Sequence, residues 1–60
     1  MHISDWTVCR SGPGMTVKGI EFRDGQRRNV RLTDVRRVYP KNNMIVALQA
    51  DGTKHTMAVQ

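Results

Sequence analysis

Ser11-Gly12-Pro13-Gly14, Asp24-Gly25, Pro40-Lys41-Asn42-Asn43 and Asp51-Gly52 divide this 60-residue chain into short, evenly spaced runs. Between these turn signals no stretch keeps apolar residues at helical spacing for three turns, whereas alternation with period two recurs along the whole chain. The pattern leaves one fold class. It is all-β: a small antiparallel meander of five to six short strands, closed as an SH3-like barrel or left as a strongly twisted sheet. Strands are expected near residues 3 to 10, 15 to 23, 27 to 33, 35 to 39, 43 to 50 and 53 to 59. With no linker, repeat or low-complexity segment, residues 1 to 60 read as a single domain.

Turn chemistry predicts registers. Pro13-Gly14 suits the central positions of a type II turn, with positive φ at the glycine. Asp51-Gly52 reads as a two-residue type I′ turn, which sets Leu48 against His55, Val46 against Met57 and Met44 against Val59 as a core face. For Asp24-Gly25 a three-residue loop, Asp24 to Gln26, pairs Ile20 with Val30, apolar with apolar, and Phe22 with Arg28, whose stem covers the ring while its head reaches the edge. Gly19 then serves as the bulge that brings Met15 and Val17 into phase with Ile20 and Phe22, and Val17 falls opposite Leu32. In this register Lys18, Glu21, Arg23, Arg27, Asn29 and Arg31 share the outer face.

Residues 33 to 41 fit either one 3₁₀ turn capped by Thr33 or Asp34, with Val35 and Val38 inward, or a short strand returning through Pro40. The strand reading puts Tyr39 beside Met44 and Val38 beside Ile45. Val38, Ile45, Ala47 and Ala58 would then form a second apolar patch, to be closed over by a barrel or buried against another copy of the chain.

Charge gives the main functional signal. The net charge is +5, and Lys18, Arg23, Arg27, Arg28, Arg31, Arg36, Arg37 and Lys41 are eight of the ten basic residues, interrupted only by Glu21, Asp24 and Asp34. Such a balance favours polyanionic partners. Most of these residues are arginine, whose planar fork matches phosphate oxygens and guanine edges, although codon composition also enriches arginine without a functional cause. The expectation is a nucleic-acid interface for DNA or RNA. Lys18, Arg23, Arg27 and Arg31 contact backbone phosphates in it, and Arg36, Arg37 and Lys41 extend the strip along an edge. An acidic protein surface is the alternative partner.

Other chemistries have little support. His2 and His55 lie far apart in the chain and Cys9 is the single cysteine, so no metal-ligand spacing and no internal disulfide is expected. His55 is expected as a structural imidazole at the core rim, and a Cys9/His55 nucleophile pair lacks a third orienting group. The glycines of "GPGMTVKG" lack the strand, loop and helix context of a phosphate-binding loop. No enzymatic activity and no cofactor is therefore expected. Met15, Met44 and Met57 fall on the core phase, and Trp6 reads as core packing or as a surface on which a base stacks.

The stretch "LTDVRRVYPKNNMIVALQADGTKHTMAV" resembles the β-rich DNA-binding domains of LytTR-type response regulators in its order of Asp-Val strand, polar turn, apolar strand and Gly turn. The resemblance covers less than half the chain and implies no residue roles. The lone cysteine and the absence of an apolar run longer than Met44 to Leu48 point to a soluble protein of a reducing, cytoplasmic compartment. A core this small would gain stability from a homodimer.

Overall fold

The structure is a computed structural model that describes residues 2–59, with only the backbone considered at Ser11. Five strands follow one another: β1 (His2–Ser11), β2 (Gly14–Arg23), β3 (Gln26–Lys41), β4 (Met44–Gln49) and β5 (Lys54–Met57). Each pairs antiparallel with the next, and β5 meets β1 in parallel through His2↔Thr56 and Ile3↔Met57, which closes the sheet into a ring. Closure removes part of the exposed edge that a meander leaves. Hydrogen bonds beyond the ladder help to fasten this seam. The Ala58 amide donates to the Ile3 carbonyl at 2.7 Å, and Trp6 Nε1 donates to the Ala58 carbonyl at 2.6 Å.

Inside the ring lie Ile3, Val17, Leu32, Val35, Ala47 and Met57, with Trp6, Met15, Val30, Val38 and Ile45 packed around them. Trp6 is thus a core residue with its indole N–H satisfied. The spacing of these residues is informative: Ile3 and Trp6, Leu32 and Val35, and Val35 and Val38 are each three apart. In a flat strand that spacing would turn one member outward. Each interval contains a register shift, between Ser4 and Thr7, between Leu32 and Val35, and between Val35 and Arg37. Asp5 and Asp34 lie in the first two with φ of 49° and 54°. An extra residue at each bulge returns the next apolar side chain to the interior and bends the strand around the core.

These bulges also decide residues 33 to 41, which are strand and not 3₁₀ helix. They do not form a separate element, because β3 runs unbroken from Gln26 to Lys41. Pro40 sits where β3 has only β4 as a neighbour, an edge situation that tolerates a missing N–H. Asn42 and Asn43, both left-handed at φ of 49° and 62°, make the two-residue turn that pairs Lys41 with Met44. Tyr39 therefore meets Val46 rather than Met44, and Val38 meets Ala47 rather than Ile45.

The other hairpins also correct the sequence reading. At the first turn positive φ falls on Gly12 (68°), followed by Pro13, so the left-handed residue precedes the proline instead of following it. At the second, Asp24 and Gly25 (φ of 52° and 76°) form a two-residue loop of the primed kind, with Arg23 paired to Gln26, Phe22 to Arg27 and Ile20 to Asn29. The last hairpin has the three-residue loop. The Gly52 amide donates to the Gln49 carbonyl at 3.0 Å, and the Gln49 amide donates to the Thr53 carbonyl at 2.9 Å around Gly52 at φ 91°. The Thr53 amide donates to Asp51 Oδ1 at 2.9 Å, and that bond holds the Asp51 carboxyl below its ordinary pKa.

One residue of loop length reverses the faces of a strand. In the last hairpin Ile45 pairs with Met57, Ala47 with His55 and Val46 with Thr56. Val38, Ile45 and Ala47 therefore belong to the interior, with Ala47 fully buried, and of the two fates expected for this patch it is closure by the ring that is seen, with these residues part of the one core and not of a second patch. Ala58, the fourth member of that patch, is half-buried at the β1–β5 seam. Met44 moves to the outer face beside Val46, which is buried but lies outside the core cluster.

Gly19 is not a bulge. β2 and β3 pair without a shift from Val17↔Leu32 to Arg23↔Gln26. Its lack of a side chain has another cause, because a Cβ there would lie 2.4 Å from Ile3 Cγ2, 3.0 Å from the Ser4 carbonyl and 3.2 Å from Trp6 Cβ. β1 crosses directly over this point.

Candidate nucleic-acid interface

The unshifted β2–β3 register and the burial of Val17 and Leu32 fix what the hairpin shows to solvent. Alternation puts Lys18, Ile20 and Phe22 of β2 on the outer face, directly opposite Arg31, Asn29 and Arg27 of β3. Three of the expected phosphate contacts, Lys18, Arg27 and Arg31, thus share one cross-strand ladder. Arg23 does not. It has the opposite parity, together with Glu21 and Arg28, and so leaves the strip with the one carboxylate expected there. Ile20 and Phe22, expected in the core, take their places, and Phe22 is 69% exposed.

Beyond Arg31 the outer row of β3 continues. Val35 and Val38 face in, so Arg37 and Tyr39 face out, with Arg37 opposite Leu48 and Tyr39 opposite Val46. The Arg37 guanidinium lies 5.3 Å from the centre of the Tyr39 ring, a cation–π distance. Lys41 ends the row at the turn. With Tyr39, Asn42, Met44, Val46, Lys54 and Thr56 it lines a shallow groove of about 290 Å³. Arg36 departs from this row. It lies in the third bulge and lines a separate cleft of about 190 Å³ with Arg10 and the Gly12-Pro13-Gly14 turn.

Among the described residues no basic side chain lies within 4.0 Å of a carboxylate. The cations of the outer row are therefore not neutralised by any carboxylate among the described residues. A second depression, about 370 Å³, is lined by Lys18, Gly19, Asn29, Val30 and Arg31 in the middle of the ladder. The Asn29 side chain is exposed there and makes no hydrogen bond among the described residues.

His55 is occupied elsewhere. Gln49 Nε2 donates to the Thr33 carbonyl at 2.8 Å, which leaves Gln49 Oε1 to accept from His55 Nε2 at 2.8 Å. That arrangement ties β3, β4 and β5 together at one end of the ring and fits the structural role expected of this histidine. Cys9 is free and exposed, and no cluster of metal-ligating side chains occurs among the described residues. His2 is an ordinary member of β1, paired with Thr56. Among the described residues no helix is long and apolar enough to cross a membrane.

Sequence reasoning missed Phe22 as a surface residue because it chose the loop that paired apolar with apolar. The signal was present in Asp24-Gly25 itself, the dipeptide most favoured in two-residue primed turns after Asn-Gly. Fold and surface together define a small closed β-module with an unpaired basic row on its outside. No family model matches the chain, LytTR-type domains included, and no curated protein or solved structure matches it either.

Proposed function

We propose that this chain is a small nucleic-acid-binding module, an accessory or regulatory protein of the cytoplasm, that holds phosphates on the outer row of β2 and β3. Lys18, Arg27 and Arg31 form the centre of the surface, and Arg37 and Lys41 extend it along β3. The observation that carries the reading is the row itself: cations aligned along β2 and β3, exposed, and without an ion pair among the described residues. A solvated face of ordinary kind mixes its signs. Arg23 and Arg36 lie off the row and contribute to its field rather than to direct contacts.

Five phosphate contacts predict a steep salt dependence, with affinity falling roughly 100- to 500-fold between about 50 and about 200 mM salt. Fluorescence anisotropy with labelled random-sequence oligonucleotides measures it. Arg27→Glu combined with Arg31→Glu abolishes binding at low salt while circular dichroism stays unchanged. No binding by the wild-type protein at low salt, or binding that ignores this double replacement, would overturn the proposal.

The groove between Tyr39 and Lys54 supports a second reading, an acidic protein surface as partner. Its floor of Tyr39, Met44 and Val46 is apolar and its rim is cationic, which suits an acidic segment with one apolar anchor. Loss of protein binding on Val46→Asp with nucleic-acid affinity intact would assign the groove to that partner.

A further inference from the structure

We infer that the nucleic acid this surface takes is single-stranded, with an unpaired base stacked on the ring of Phe22. The inference rests on the nucleic-acid reading above and adds the substrate class.

Exposure of Phe22 is enforced. The Asp24-Gly25 turn and the buried Val17 and Leu32 lock the β2–β3 register, and sliding it by one residue to bury Phe22 would turn the core outward. An arginine beside an aromatic ring often covers it, as Arg37 covers Tyr39. Arg27, directly across from Phe22, does not, and Phe22 makes no ring contact among the described residues. The aromatic face is therefore open. It projects from a ladder whose other positions are Lys18, Arg31 and Arg27 for phosphates and Asn29 for a base edge. An aromatic platform set among cations is the combination that holds single strands, because every base has a π-face and the backbone follows the charge. In a duplex those faces are hidden within the stack, and a phenyl ring in the major groove reaches only the edge of a base, at a thymine methyl.

The test uses the intact protein with three labelled probes: a 12-nucleotide oligothymidine, a 12-nucleotide oligoadenosine and a mixed-sequence duplex of 12 base pairs. Both single strands are expected to bind more tightly than the duplex at equal salt. Phe22→Ala weakens single-strand binding by roughly 5- to 150-fold without altering its salt slope, since stacking releases no counterions. Phe22→Tyr keeps the affinity, whereas Arg27→Gln lowers the slope by about 0.7. The ring is mostly exposed, at the side of a cleft it shares with His2, Glu21 and Arg23, so the variants keep a melting temperature close to that of the wild type. If the wild-type protein binds no probe at low salt, the nucleic-acid reading falls and takes this inference with it. If it binds with a steep salt slope but prefers the duplex, or is indifferent to Phe22→Ala, the reading stands and the single-strand inference is wrong.

Discussion

Gly19→Ala isolates the contact that lets β1 pack closely on β2. No positive φ constrains Gly19, so by backbone conformation alone an alanine there would stabilise the protein by about 0.4–1 kcal/mol through the unfolded state. Space gives the opposite sign. Carbon atoms in contact normally sit about 3.5–4.0 Å apart, and the new Cβ would lie 2.4 Å from Ile3 Cγ2, more than 1 Å too close. Ile3 is completely buried and cannot swing away. The Ser4 carbonyl at 3.0 Å and Trp6 Cβ at 3.2 Å block the remaining directions, and the Trp6 indole is held by Ala58. β1 must therefore lift from β2, at the cost of about 1–3 kcal/mol typical of an overfilled core. The net effect is a loss of about 1–2 kcal/mol, which for a domain of this size lowers the melting temperature by roughly 5–15 °C. Thermal and urea unfolding followed by circular dichroism measure it. Ile3→Leu supplies the control because it moves the branch and removes the offending methyl, whereas Ile3→Val retains that methyl. In double-mutant cycles Gly19→Ala should cost about 1 kcal/mol less when combined with Ile3→Leu than when combined with Ile3→Val. A raised melting temperature for Gly19→Ala, or an equal cost in both backgrounds, would refute the close crossing.

Two further outcomes concern the turns. Gly25→Ala should destabilise by about 1–2 kcal/mol through left-handed strain alone, since nothing lies within 4 Å of the added methyl, whereas Gly14→Ala, without positive φ and with its nearest neighbours at 3.6 Å, should not. Equal effects in chemical denaturation would mean that the primed turn is misassigned. The bond from Thr53 lowers the folded-state pKa of Asp51, so its contribution is whole above the unfolded value of 3.8 and fades as pH falls through the folded value. The gap in melting temperature between wild type and Asp51→Ala should narrow on acidification below about pH 4, and a gap constant through the acid limb would exclude the bond.

Much of the architecture was legible because turn residues and period-two alternation are local signals. The fold class, the four hairpins and the Val17↔Leu32 pair all follow from them. That pair emerged through cancelling errors, a bulge assigned to Gly19 and an extra residue assigned to the next loop. Registers were less legible because loop length and bulges trade against each other: one residue moved between them leaves distant pairs intact and reverses every face between. Pairing apolar with apolar is a reasonable way to choose. It fails where an apolar residue belongs outside, as Ile20 and Phe22 do; Ile45 and Ala47 were turned outward for the opposite reason, a two-residue turn read from Asp51-Gly52 where the loop has three residues. The spacing of Val35 and Val38 fitted a 3₁₀ turn as well as the favoured strand for a related reason, since a bulged strand and a tight helix both bring every third residue to one side.

The same reasoning separates composition from surface. Eight cations between residues 18 and 41 set a long-range field whatever the register, so the charge argument for a polyanion does not depend on which loop is longer. What the field can discriminate does depend on it. With the longer loop at Asp24 the outer ladder would hold Glu21 and Arg23 and no aromatic group, a surface suited to phosphates alone. With the two-residue turn the carboxylate leaves and Phe22 arrives, and the ladder gains a group that interacts with bases. A glycine or asparagine inserted after Gly25 would lengthen that loop without changing the composition of the strands. Because the buried Val17 and Leu32 hold the strand register, the added residue stays in the loop, and the prediction is that both the salt-dependent attraction and the preference for single strands survive the insertion. A preference lost on insertion would show that the length of this loop, and not the core, sets the face on which Phe22 lies.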